Sequence, residues 1–129
     1  FSFMLQTISP PALSDSESVY AGLMLEITLT FLLVYTIFAT AIDERAKGNV
    51  GLFAPLAIAL VVGANILVGG AFDGSSMNPA RALGPALVAW DFTNQWLYWV
   101  GPLVGGTIAT IIYETLLIPH PPFPTSINA

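Results

Sequence analysis

Residues 69–87 read GGAFDGSSMNPARALGPAL, and this stretch decides how the rest of the chain is read. Asn78 followed by Pro79 is a helix start. An Asn side chain caps the first free backbone N–H groups, and Pro fits the first helical position because its missing N–H has no partner there. Gly69, Gly70 and Gly74, just before, suit a tightly bent backbone. Pro85 has no N–H to offer the carbonyl of Arg81, so the helix is expected to kink or stop there. The stretch therefore predicts a short half-helix with a carboxamide at its positive end. One turn in stands the guanidinium of Arg81, the only cation in residues 48–129.

The flanking sequence says where such a half-helix sits. Among the 129 residues 55 % are apolar and 9 % charged, and the mean hydropathy is +0.76. A soluble domain carries about a quarter charged residues. The few charges also cluster. Glu26 is the only one between Glu17 and Asp43, and none lies between Lys47 and Asp73 or between Asp91 and Glu114. Each interval exceeds the roughly 20 residues that cross a bilayer. The predicted fold is all-α and transmembrane: three spans, at about 19–42, 52–68 and 96–118, and a re-entrant loop with its half-helix at 69–89. Backbone that is not helical at membrane depth survives only if buried in protein or lining a watery cavity. The arrangement thus reads as one wall of a pore.

Outside the spans, residues 1–18 are polar, with SPP at 9–11 and SDSES at 14–18, and are expected to form an extramembrane loop. Residues 119–129, PHPPFPTSINA, are expected to be a disordered tail. The turn at 43–49, DERAKGN, carries Arg45 and Lys47, which places it on the inner side by the positive-inside rule. Glu26 lies two turns inside the first span. A carboxylate there must face protein and be hydrogen-bonded, so it is expected to brace irregular backbone nearby. Gly63 and Ala64 in the second span suggest a close-packing face, and Asn65 a bond between helices. In the third span Gly101 and Gly105 form a GxxxG pair for close helix packing. Trp90, Trp96, Tyr98 and Trp99 resemble an interfacial aromatic belt.

Several function classes fall away. Three cations do not make a nucleic-acid footprint. With no cysteine there is no disulfide, thiolate or soft-metal site, and the lone His120 in the tail is neither a metal site nor a base. Ser75 and Ser76 have no His or Lys within a span to activate them, so no enzyme is expected, and no cofactor is implied. The chain opens FSFMLQTISPP, without an initiator Met or a basic start, and is expected to be part of a longer protein.

SSMNPARALGPAL, preceded by VVGANILVGGAF and followed by WLYWVGPLVGG, closely resembles the second half of an aquaporin. YTIFATAIDERAKG and GANILVGGAFDGSSMNPAR are most similar to the plant tonoplast intrinsic subfamily. The resemblance covers about residues 20–114. It implies a fold of six spans and two half-helices in inverted repeats, assembled as a homotetramer, of which this sequence holds the C-terminal repeat alone. It implies that Asn78, Pro79, Ala80 and Arg81 line the pore, that Ile66 and Ser75 occupy two further positions of its outer constriction, and that Glu26 bonds the re-entrant backbone. The fourth constriction residue, a histidine in the tonoplast group, belongs to the other half. Ser75 stands where mercury-sensitive channels place a cysteine, so thiol block is expected to fail. Ala82, Ala86, Tyr98 and Trp99 match the water-channel pattern and not that of glycerol facilitators.

The implied function is passive water transport in a multi-pass protein of the plant vacuolar membrane. Its partners are then water, small neutral solutes and the lipid bilayer. The apolar Ile66 keeps urea, ammonia, hydrogen peroxide and glycerol open as permeants, and the missing repeat keeps open a non-transporting half-channel that only packs with partner helices.

Overall fold

The structure, a computed structural model, describes residues 10–14, 18–46, 48 and 51–118. The expected tail at 119–129 and most of the expected loop at 1–18 lie outside the described residues. The fold is helical, with no strand among the described residues. Helix α1, Val19–Ile37, starts at Ser18, whose hydroxyl oxygen accepts the Ala21 N–H at 3.1 Å. It runs on into a wider turn, Phe38–Ile42. Helix α2, Ala54–Gly69, follows a short 3-10 turn at Gly51–Phe53 and carries Pro55 in its first turn. The half-helix α3 is Pro79–Ala89. Helix α4, Leu97–Ile112, also ends in a wide turn, Tyr113–Leu117. Three continuous segments, Val19–Ile42, Gly51–Gly69 and Leu97–Leu117, are long and apolar enough to cross a membrane.

The main contact is between α1 and α4. Its closeness depends on two glycines, both buried on α4. A Cβ added at Gly101 would lie 2.6 Å from the Cβ of Glu26, and one at Gly105 would lie 3.1 Å from the Cα of Ile27. Small residues let helix backbones approach where lipid gives no hydrophobic drive to associate. The same pair of helices holds the half-helix: Ala82 of α3 packs with Leu97 and Tyr98, and Leu13, Val19 and Leu23 close over them.

One expectation needs correction. Gly63 and Ala64 are exposed, and nothing lies within 4 Å of a Cβ added at Gly63. The face of α2 that packs inward is instead Ala54, Asn65 and Gly69. Of the two outcomes expected at Pro85, a kink or a stop, the stop does not occur. A proline removes one bond, and the helix continues to Ala89, where the N–H of Trp90 closes on the carbonyl of Ala86.

Because the neighbour of Gly105 is backbone and cannot swing away, Gly105→Ala is expected to lower unfolding stability by about 1–3 kcal/mol. Denaturant titration in detergent micelles, with Gly63→Ala as the tolerant control, measures this.

Candidate functional site: the re-entrant turn and half-helix

The re-entrant segment begins where α2 ends. Phe72 N–H and Asp73 N–H both turn back to the carbonyl of Gly69, at 2.9 and 3.1 Å. The next residues take conformations that side chains usually avoid: φ is +85° at Gly74, +46° at Ser75 and +52° at Met77. A non-glycine residue held there costs on the order of 1–3 kcal/mol and persists only when its surroundings over-determine it.

Those surroundings are a set of polar side chains from every span. Glu26 of α1 is completely buried, and its two carboxyl oxygens accept the N–H groups of Ser76 and, at 2.8 Å, Met77. Asp73 Oδ1 accepts the Ser75 N–H at 2.8 Å, closing an Asx-type turn. Tyr98 of α4 donates its hydroxyl to the Asp73 carbonyl at 2.8 Å. Asn65 of α2 donates to the carbonyl of Leu29 at 2.9 Å and reaches Met77 Sδ at 3.1 Å, while its own carbonyl accepts the Ser75 hydroxyl at 3.0 Å. Arg81 Nη1 donates back to the carbonyls of Ser75 and Ser76. Asp73 Oδ2 is buried without a partner, but these bonds to the backbone are what a non-helical segment needs away from water.

At the tip, Asn78 caps α3. Its Oδ1 accepts the N–H of Ala80 at 2.9 Å, with a longer approach of 3.4 Å from the N–H of Arg81. The carboxamide oxygen is therefore engaged in capping. Asn78, Ala80 and Arg81 are exposed and Pro79 partly so. Ile66, one turn before the end of α2, is 41 % exposed. Arg81 also walls a cleft of about 430 Å³, together with Pro10, Pro11, Ala12, Gly74 and Pro85.

Ser75 differs from its expected place. Its side chain is fully buried and bonded to Asn65, so it does not line the exposed face; what it offers there is a carbonyl, held by Arg81. Tyr98 differs from the aromatic belt. It is wholly buried, whereas Trp90, Trp96 and Trp99 are exposed. Sequence reasoning missed the Tyr98 bond and the wall at residues 10–12. The Asp73-Gly74-Ser75 turn carried a readable signal, because Asp before Gly favours such turns. Among the described residues no group of three or more His, Cys, Asp or Glu side chains could hold a metal.

Residues 4–113 match the family described as major intrinsic protein. The chain is 63 % identical over 98 residues to the probable aquaporin TIP3-2 of Arabidopsis thaliana, a match that covers 76 % of this chain and 36 % of that protein. It is 62 % identical over 103 residues to aquaporin TIP1-1 of Zea mays, covering 80 % and 41 %. To a probable TIP-type aquaporin of Medicago sativa it is 57 % identical over 122 residues, covering 92 % and 49 %. The chain thus spans less than half the length of these curated relatives.

Glu26→Ala would leave two buried N–H groups without acceptors, at about 1–3 kcal/mol each. The expected result is a loss of roughly 2–6 kcal/mol by unfolding in micelles. Glu26→Gln, which keeps one acceptor oxygen, is expected to lose about half as much.

Proposed function

The chain belongs to the major intrinsic protein family and is a multi-pass integral membrane protein; from that premise we propose that it is the C-terminal half of a passive water channel of the tonoplast intrinsic type. The observation that carries the reading is the exposed tip of α3, where capping engages the Asn78 oxygen and Arg81 is exposed one turn in. In this reading Asn78, Pro79, Ala80 and Arg81 form one wall of the pore, with Ile66 above them and the carbonyls of Ser75 and Ser76 fixed by Arg81. A first repeat supplies the opposite wall, four complete copies form the tetramer, and the vacuolar membrane is the site of action. No chemistry and no cofactor are involved.

Water entering a narrow pore must have its lost hydration replaced, but only weakly, so that it can leave. The Asn78 N–H groups donate to the water oxygen. The half-helix brings about half a positive charge to its N-terminal end, and Arg81 adds a full one. Cations, hydronium included, are repelled from this point, while a neutral molecule passes. A water whose oxygen is held toward Asn78 has both hydrogens pointing away along the file, so it accepts no proton from its neighbours.

A second reading is favoured by one observation. Ile66 is apolar and 41 % exposed, and in this reading it faces the constriction. That suits larger neutral solutes such as urea, ammonia, hydrogen peroxide or glycerol alongside water.

The test is stopped-flow swelling of vesicles that hold this chain joined to the first half of a TIP-type relative. Swelling faster than empty vesicles in a water gradient is expected; no acceleration with water or any of these solutes refutes both readings. Arg81→Val is expected to raise urea and glycerol permeability about tenfold, the effect of lowering a barrier by about 1.4 kcal/mol. Unchanged selectivity in that variant removes Arg81 from the filter.

A further inference from the structure

At the inner end of the bundle, α1 and α4 finish in the same unusual way. The Asp43 N–H bonds the Phe38 carbonyl at 2.9 Å, and the Ile118 N–H bonds the Tyr113 carbonyl at 3.2 Å, each five residues back. Such wide turns are rare and concentrate at functional sites. These two are in contact. The Tyr113 ring lies 5.6 Å from that of Phe38 and stands edge-on to Tyr35 at 5.3 Å.

The contact is completed by a carboxylate. Tyr113 donates its hydroxyl to Asp43 Oδ2 at 2.9 Å, and both residues are buried. Arg45 grips the same carboxylate as a fork, with Nε at 3.0 and 3.1 Å and Nη2 at 2.6 Å, while its backbone N–H reaches Oδ1 at 2.8 Å. The guanidinium holds the Asp43 carboxyl well below the usual carboxylate range, so it stays ionised as an acceptor for Tyr113. Asp43 thereby ties the connection between α1 and α2 to the far helix α4.

That connection forms part of an opening. On α2, Pro55, Ile58, Val62 and Ile66 recur at helical spacing along one face. Ile66 is at the end that leads into the re-entrant segment. Pro55 and Ile58, at the other end, line a cleft of about 560 Å³ with Thr40, Ala41, Gly48 and Gly51. The connection folds in on itself beside this cleft: Ala46 is buried, and its carbonyl lies 3.2 Å from where a Cβ on Gly51 would sit.

We propose that Asp43 and Tyr113 are positioning residues for the inner mouth of the pore, holding the turn at residues 43–46 against the end of α4 and so fixing one side of that cleft. The proposal rests on the channel reading for the word pore; the latch itself does not. The test uses the joined two-repeat channel in a cysteine-free background, with Ala46→Cys as a probe, since this chain has no cysteine of its own. Ala46 is shielded while the latch holds. Tyr113→Phe, which removes only the hydroxyl, and Asp43→Asn are each expected to speed modification by a membrane-impermeant thiol reagent about tenfold, as a lost bond to a charged group raises local opening. Water permeability is expected to fall about twofold or more, with the urea-to-water selectivity set at Arg81 unchanged. Parental thiol rates in both variants overturn the latch. Faster modification with parental water permeability overturns its role at the mouth. If the parent swells no faster than empty vesicles, the channel reading fails, and the thiol rates still decide whether the latch exists.

Discussion

Two backbone N–H groups pointing at one buried carboxylate hold this structure in its shape. Ser76 and Met77 donate to Glu26, which lies two turns inside an apolar helix with no exposed surface. Neither side is stable alone. A buried carboxylate without donors is costly, and so are two buried N–H groups without an acceptor. Together they cancel, and the cancellation pins an irregular segment at a depth where water cannot satisfy it. The left-handed backbone at Gly74, Ser75 and Met77 follows from the same constraint. It turns successive N–H groups toward the protein and leaves the carbonyls of Ser75 and Ser76 for Arg81.

The position of Glu26 is set in turn by helix packing. Gly101 lies directly against its Cβ, and the next turn of α4 presses Gly105 onto the backbone of Ile27. Tyr98, on the same helix, bonds the carbonyl of Asp73. The spacing of α1 and α4 is therefore transmitted to the tip of α3 through two polar contacts, one from each helix. Arg81 belongs to both sides of this scheme. It braces the turn with its Nη1 donor and exposes the rest of its guanidinium to the cleft, so its charge sits at a fixed place on a rigid support.

Much of this was legible in the sequence. The long uncharged intervals mark the spans, Asn78-Pro79 marks a capped helix start, and a lone Glu at position 26 requires donors nearby. What was not legible depends on direction within a helix or on contact across the bundle. Tyr98 stands among three tryptophans and reads as one more interfacial ring, yet its buried hydroxyl is what the Asp73 carbonyl needs. Gly63 and Ala64 are small enough to pack closely, but the inward face of α2 is fixed by Asn65 and Gly69, which meet the re-entrant segment. Ser75 is polar and next to the tip, yet its hydroxyl is buried on the carbonyl of Asn65. The wide turns after Ile37 and Ile112 leave no mark that periodicity could reveal.

Two places in the bundle use one device. Glu26 ties the re-entrant segment to the α1–α4 pair midway, and Asp43 ties the connecting turn to the same pair at the C-terminal ends of both helices. Each carboxylate is donated to by backbone or side chains of an irregular segment, and each is backed by α4, through Gly101 in one case and Tyr113 in the other. Helix α2 contributes Asn65 to this framework and leaves its Pro55–Ile58–Val62–Ile66 face without polar duties. On the proposed reading, side chains along that face of α2 can change what passes without disturbing what holds the half-helix in place, whereas no such freedom exists on the facing sides of α1 and α4.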